Sequence, residues 1–342
     1  MAFVPGRCFN RPMPLETIVP CADVNDDLPF WQGLGLRLDA IWPADDPQVA
    51  LLSGEGAHLR LERGDAPAPH LRLTTRDPDL LAKRTLTSPS GVAITLDHPV
   101  PPMETPTPVT EPLVRRLADG APWVIGRAGM HYRDLVPDRL GGAMIASHIR
   151  IPEGGPVPDM VHYHTVGFQL IFCLSGWVDL VYEDQGAPFR LHAGDAVTQP
   201  PEIRHRVLHP SDGLEVLEIG VPALHVTTID HDLALPNGHD PDRRFGGQRF
   251  VRHRADAPWR AEVQETGIGR ATGGVADMRV LRGARAMGSE AITFGFLRDG
   301  AAPLGLDGGT HALGRGDAFV IPPDHRAEIG AGAEVIEVSL RA

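Results

Sequence analysis

Apolar and polar residues alternate along this chain in short runs, and the runs read as strands. Leu36 to Trp42, Gln48 to Ser53 and His58 to Glu62 are separated by turn-forming stretches at Pro43 to Pro47 and Gly54 to Gly56. Thr17-Ile18-Val19 predicts a strand before them and Gly91 to Leu96 a strand after. Asp23 or Asn25 is placed to cap a short helix carrying Leu28, Phe30 and Trp31, which Gly33 and Gly35 stop. Further on, Gly141 to Ile151, Trp177 to Tyr182, Phe189 to Leu191 and Leu214 to Ile219 continue the strand pattern. If Gln169 faces inward, Ile171 and Cys173 share its face and Phe168, Leu170 and Phe172 take the other. The prediction is a mainly β protein.

Punctuation divides the chain. Residues 1–14 are Pro-rich and read as an arm lying on another domain or subunit, and residues 98–129 are a Pro-rich linker with one short helix expected over Glu111 to Ala118. Leu191-His192-Ala193-Gly194-Asp195 with Pro200-Pro201 recurs as Leu313-Gly314-Arg315-Gly316-Asp317 with Pro322-Pro323, and Glu334 to Val338 echoes Leu214 to Ile219. The expected organisation is a module at 1–97, the linker at 98–129, a barrel at 130–224, a polar crossover at 225–264 and a repeat barrel at 265–342. His225, His231 and His239 fall in the crossover with irregular spacing, so a solvated loop is expected there.

Composition narrows the partners. The 38 Gly and 33 Pro suit many strands joined by tight turns. A net charge of -12 without a long basic cluster speaks against nucleic acid and anionic membrane. No run is long and apolar enough to span a bilayer, and Met1 to Arg7 lacks a signal-type stretch. Cys8, Cys21 and Cys173 are odd in number and lack framework spacing, so no disulfide scaffold is expected and a cytoplasmic location fits.

The chemistry concentrates between His162 and His205. His162 and His164 are two apart, so on a strand both imidazoles face one way. Gly167 allows the chain to turn and return Gln169 to the same site, and His205 arrives after Gly194-Asp195 and Pro200-Pro201. Tyr163 is a candidate for moving protons, and Gln169 for catalysis as well as ligation. Ile171, Cys173, Gln199, Arg204 and Arg206 are candidate substrate contacts, although alternation turns both arginines away from His205.

These spacings resemble the paired motifs of the cupin superfamily, His-x-His-x4-(Glu/Gln)-x6-Gly and Gly-Asp-x4-Pro-x4-His. The resemblance implies a metal held by His162, His164, Gln169 and His205, and two tandem jelly-roll barrels. Fe(II) is favoured; Mn, Ni, Cu or Zn also suit such a donor set. Sliding the ligand positions onto the repeat reaches Ala286, Gly288, Thr293 and Ala327, none of which holds a transition metal, so the second barrel is expected to be metal-free. Residues 15–97 resemble one βαβββ module of the glyoxalase-like vicinal oxygen chelate superfamily, with Glu16 and Thr95 at that family's ligand positions. The cupin resemblance implies a dioxygenase of a small phenolic, enolic or carboxylate compound, assembled as a homodimer or larger. A redox-neutral isomerase, cyclase or lyase and a non-enzymatic binder are the alternatives.

Overall fold

The computed structural model describes residues 15–33, 36–54, 57–64, 71–87, 93–120, 122–126, 129–157, 159–288 and 290–341. The arm expected over 1–14, and Gly91 and Val92 of the later strand, lie outside them. The chain divides into two compact units, Met1–Trp42 with Pro47–Pro102, and Pro43–Asp46 with Met103–Ala342.

The first unit runs β1 (Leu15–Cys21), α1 (Val24–Gly33), β2 (Arg37–Trp42), β3 (Val49–Gly54), β4 (Ala57–Arg63), β5 (Leu71–Thr74), α2 (Pro78–Leu81), β6 (Thr85–Thr87) and β7 (Ala93–Asp97). Asp23 caps α1 by accepting the Asn25 N–H at 2.7 Å, and Val24 buries the helix against β3 and β4. The sheet order is β2-β3-β4-β1-β5-β7-β6, with β1 parallel to β4 and β5 parallel to β7. Glu16 is buried and ion-paired with Arg72, its cross-strand neighbour, which also pairs with Asp97 at 3.0 Å. The carboxylate is therefore committed to a structural pair, and removing either partner would leave a buried charge unanswered.

The second unit holds both barrels. It begins with β8 (Leu113–Arg115), β9 (Val124–Ile125), β10 (His131–Asp134) and β11 (Ile145–Ile151). The helix expected over Glu111 to Ala118 is instead β8, paired with a strand of the second barrel, followed by a 3-10 turn at Leu117–Asp119. Pairing wins because the Asp317 carboxylate takes the Leu117 N–H at 2.7 Å and ends the run.

β12 (His162–Thr165), β13 (Phe168–Ser175), β14 (Trp177–Tyr182), β15 (Phe189–His192), β16 (Ala196–Thr198), β17 (His205–Pro210) and β18 (Leu214–Val221) complete the first jelly roll. The segment read as a solvated crossover is partly strand: β19 (Val226–Ile229), β20 (Arg244–Phe245), β21 (Gln248–Arg249) and β22 (Arg252–His253). Val226, Thr227 and Ile229 are buried because β19 pairs along β12. One sheet of this barrel is β15-β14-β17-β12-β19, and the other is β22-β16-β13-β18-β11-β10-β9.

β23 (Val263–Glu265), α3 (Ile268–Ala271), β24 (Ala276–Arg282), β25 (Arg285–Met287), β26 (Ile292–Leu306), β27 (Gly309–Gly314), β28 (Ala318–Ile321), β29 (Ala327–Ile329) and β30 (Ala333–Leu340) build the second barrel. Phe168, Leu170 and Phe172 of the first barrel join Phe294, Phe296 and Val338 of the second in one buried core. That contact uses the outer face of β13, which leaves its inner face free for the site.

Candidate metal centre

Strand alternation sets the site. His162 and His164 are buried on β12, with half-buried Tyr163 on the opposite face under the Arg204 guanidinium, 4.1 Å from its ring centre. Pairing of His162 with His205 in the β12–β17 ladder brings the third ring in, and the His162 and His205 centroids lie 4.3 Å apart. One nitrogen from each of the three histidines falls within 4.8 Å of the others.

Each ring is held from behind. His162 Nδ1 donates to the Met160 carbonyl at 2.8 Å, and His205 Nδ1 donates to the Ile203 carbonyl at 3.0 Å. His164 Nδ1 meets the Thr227 hydroxyl at 3.0 Å. Carbonyl acceptors fix the proton on Nδ1 in the first two rings and leave Nε2 with its lone pair available to an ion.

Gln169 reaches the inner face of β13 after the chain crosses between sheets at Val166-Gly167. Its Nε2 donates to Glu218 Oε1 at 2.6 Å, while its Oε1 is buried with no hydrogen-bond partner. A buried acceptor without a donor is costly, and the glutamate fixes which end of the amide is left over. Three imidazoles with anchored Nδ1 atoms, each offering a nitrogen within 4.8 Å of the others, are the donor chemistry that a divalent transition ion takes, so the histidines fit such an ion.

The histidines line a cavity of about 250 Å³ inside the first barrel. Its wall is largely aliphatic, with Ile149, Ile171, Val178, Leu180 and Val216 among the lining residues. Gln199 also lines it and donates to the Tyr182 hydroxyl at 2.9 Å; Tyr182 in turn stacks on His205 at 5.4 Å. Burial pushes the Tyr182 phenol well above its ordinary range, so it stays protonated.

Of the sequence-derived candidates besides the histidines, Ile171 and Gln199 line the cavity, and Tyr163, Gln169, Cys173, Arg204 and Arg206 do not. Arg204 is engaged by Asp230 at 3.1 Å as well as by Tyr163. Cys173 is wholly buried in the barrel core, where burial pushes its thiol up to about 12. Cys21 is also a free, buried thiol.

The sequence reading passed over four participants. Glu218 was legible in principle, as the one acid on the inward Leu214, Val216, Glu218 face of β18. Tyr182 continues the inward Val178, Leu180 series of β14 in the same way. Thr227 had no signal, because it lies in the stretch read as a loop. His225, assigned to solvent, instead packs edge-on against His164 with centroids 5.5 Å apart, and burial lowers its pKa. His231 and His239 are exposed.

In the second barrel the inward residue opposite Ala327 is Met287, and Ala286 is exposed, which moves the expected register by one position. Among the described residues, the first-barrel histidines are the one group of His, Cys, Asp or Glu arranged to hold a metal. No described helix is long and apolar enough to cross a membrane.

Comparison with curated proteins returns no match. Among solved structures, protein Ylba from E. coli superposes with a TM-score of 0.53 at 12% identity, covering 78% of this chain and 97% of that one. Salicylate 1,2-dioxygenase from Pseudaminobacter salicylatoxidans does so with a TM-score of 0.50 at 17% identity, covering 69% and 86%. Likeness at these identities speaks for the fold alone. Residues 147–220, which lie in the barrel that carries the three histidines, match the family model for the cupin domain.

Proposed function

We propose that this chain is a metal-dependent cupin enzyme, a dioxygenase acting on a small phenolic or enolic compound, with or without a carboxylate. The observation that carries the reading is the set of three back-anchored imidazoles facing a largely aliphatic cavity. Solved dioxygenases of the same fold support the reaction class by analogy. His162, His164 and His205 would hold the ion, with Gln169 as a fourth, neutral donor. When bound, a divalent ion would supply Lewis acidity and, if it is Fe(II), a redox-active centre through which electrons pass from the substrate, which is oxidised, to dioxygen.

The remaining roles fall to side chains. An amide where a carboxylate is more familiar leaves the donor set uncharged, which favours an anionic oxygen on the substrate. Among the described residues no Lys or Arg lines the cavity, so a substrate anion has no cationic clamp there and must use the donor set itself. Gln199 and Tyr182 offer the polar contacts that orient a bound molecule, and the aliphatic wall excludes water. Glu218 holds the Gln169 amide in one orientation.

We further read residues 15–97 as a glyoxalase-like module used for packing or dimerisation, in a cytoplasmic homo-oligomer. Elemental analysis of the isolated protein, then oxygen uptake with Fe(II) and a panel of phenolic and enolic compounds, tests the main reading. Oxygen consumed in proportion to product is the expected result. Turnover without oxygen would replace it with a redox-neutral isomerase, cyclase or lyase, and saturable binding without product with a binding protein.

A further inference from the structure

Strands β11 and β18 carry a second cavity on their other face. Ile149 and Ile151 of β11 and Val216 and Glu218 of β18 face the histidines, whereas His148, Arg150 and Glu215 face a cavity of about 150 Å³ that the second barrel closes with Phe296, Arg298, Arg315 and Gly316. That volume is several times the roughly 30 Å³ that one water occupies in the liquid.

Its charge does not balance. Glu215 is the one acid on the wall, and it is shared by Arg150 at 3.0 Å, His148 at 2.9 Å and Arg315 at 3.9 Å. Arg298 pairs with Glu334, which also takes Arg282 at 2.8 Å. Arg133, wholly buried beside the wall, donates from Nη2 to the Gly316 carbonyl at 2.6 Å, while its Nε and Nη1 have no hydrogen-bond partner. Burial brings its pKa down to about 10, which leaves it charged at neutral pH.

Asp317, the remaining acid that acts on Arg133, already accepts the Leu117 and Gly314 N–H groups. Three carboxylates thus answer the five guanidinium groups of Arg133, Arg150, Arg282, Arg298 and Arg315. A chain with a net charge of -12 has gathered an excess of positive charge where its two barrels meet.

Arg133 is held out of water with its Nε and Nη1 unpartnered, which is unfavourable, and an anion bound beside it would offset that cost, while Arg150 and Arg315 reach the cavity from its solvent side. Arg150 is also kept in place by stacking over Trp123, 4.2 Å from the ring centre, a contact that orients the guanidinium without neutralising it. We propose that the cavity between the barrels is a binding site for a small oxyanion of phosphate size, held by Arg150, Arg298 and Arg315 with Arg133 adjoining the wall. Planar guanidinium forks suit oxyanions better than they suit halides. The site is separate from the metal centre, and nothing in the argument depends on the proposed oxygenase activity.

The test is calorimetric titration of inorganic phosphate into the full-length protein at fixed chloride and ionic strength. Saturable binding is expected, weakened roughly tenfold or more by Arg150→Gln and by Arg315→Gln, the scale of a lost charged hydrogen bond. Arg315 has a 61% exposed side chain, so its substitution leaves folding intact, which circular dichroism checks. Phosphate should also raise the melting temperature of the wild-type protein above that in matched chloride. His205→Ala should bind phosphate as the wild type does. Absence of saturable binding, equal binding by the arginine double variant, or loss of binding in His205→Ala would each overturn the assignment.

Discussion

The two barrels share a ladder and differ in what fills them. In the first, Ile171 pairs with Val197 and Glu218; in the second, the matching positions pair Gly295 with Phe319 and Glu337. Phe319 packs so closely over Gly295 that a Cβ on the glycine would meet the ring at 2.1 Å. Glu337 is buried against Arg279 at 2.8 Å, whereas Glu218 borders the cavity and takes the amide of Gln169. Both barrels keep the same turn, since Asp195 accepts the His192 N–H at 3.1 Å and Asp317 the Gly314 N–H at 2.9 Å. A jelly roll thus keeps its frame through the turn aspartate and its pairing, while a few inward side chains decide whether the interior is hollow or solid.

The strongest way to break the comparison is to make the first barrel like the second at its ligands. His162→Ala or His205→Ala should abolish metal retention, measured by elemental analysis, with the β circular-dichroism signal kept; full metal content would refute the ligand assignment. The converse change is Phe319→Ala. Emptying the solid barrel should cost about 3–5 kcal/mol, read from the urea midpoint, because a large aromatic leaves a void that its neighbours close only in part.

Smaller effects sharpen the picture. Thr227→Val removes the hydroxyl behind His164 and should lower metal affinity by roughly 10- to 100-fold while His162 and His205 stay anchored. Gln169→Leu should depress activity more than metal content, and a variant that changes neither would count against the amide as a donor.

The smallest expected effect is on pH dependence at the seam between the barrels. Burial lowers the His148 pKa below its ordinary 6.5, so the fold prefers the neutral ring, and this contribution is present above 6.5 and lost as pH falls from there through the lowered folded value. The hydrogen bond from His148 holds Glu215 down to about 2 from 4.5, so its contribution is present above 4.5 and lost as pH falls toward 2. Urea midpoints taken on either side of these windows should show two losses on acidification, and the first should vanish in His148→Gln.

Most of the candidate metal site was legible because it is written in short-range periodicity. Two histidines at i and i+2, a turn glycine and a Gly-Asp turn fix faces and ladders without reference to the rest of the chain. Glu218 and Tyr182 obeyed the same alternation on β18 and β14 but were hidden among apolar neighbours that gave no reason to single them out. Thr227 and His225 could not be read at all, since their approach to His164 depends on β19 returning to β12, a pairing set by the fold. The cavity at the seam was equally invisible, because its arginines are scattered from Arg133 to Arg315 and meet only when the barrels close.

The return of β19 to β12 has a practical corollary for anyone dissecting this chain. A fragment ending at the last strand of the first jelly roll, near Val221, would retain His162, His164 and His205 and still lack the strand that flanks two of them. Its ligand strand would become a raw edge, open to pairing with another copy. Excised in that way, the barrel should aggregate or bind metal poorly, so a self-sufficient barrel fragment must extend through at least Ile229.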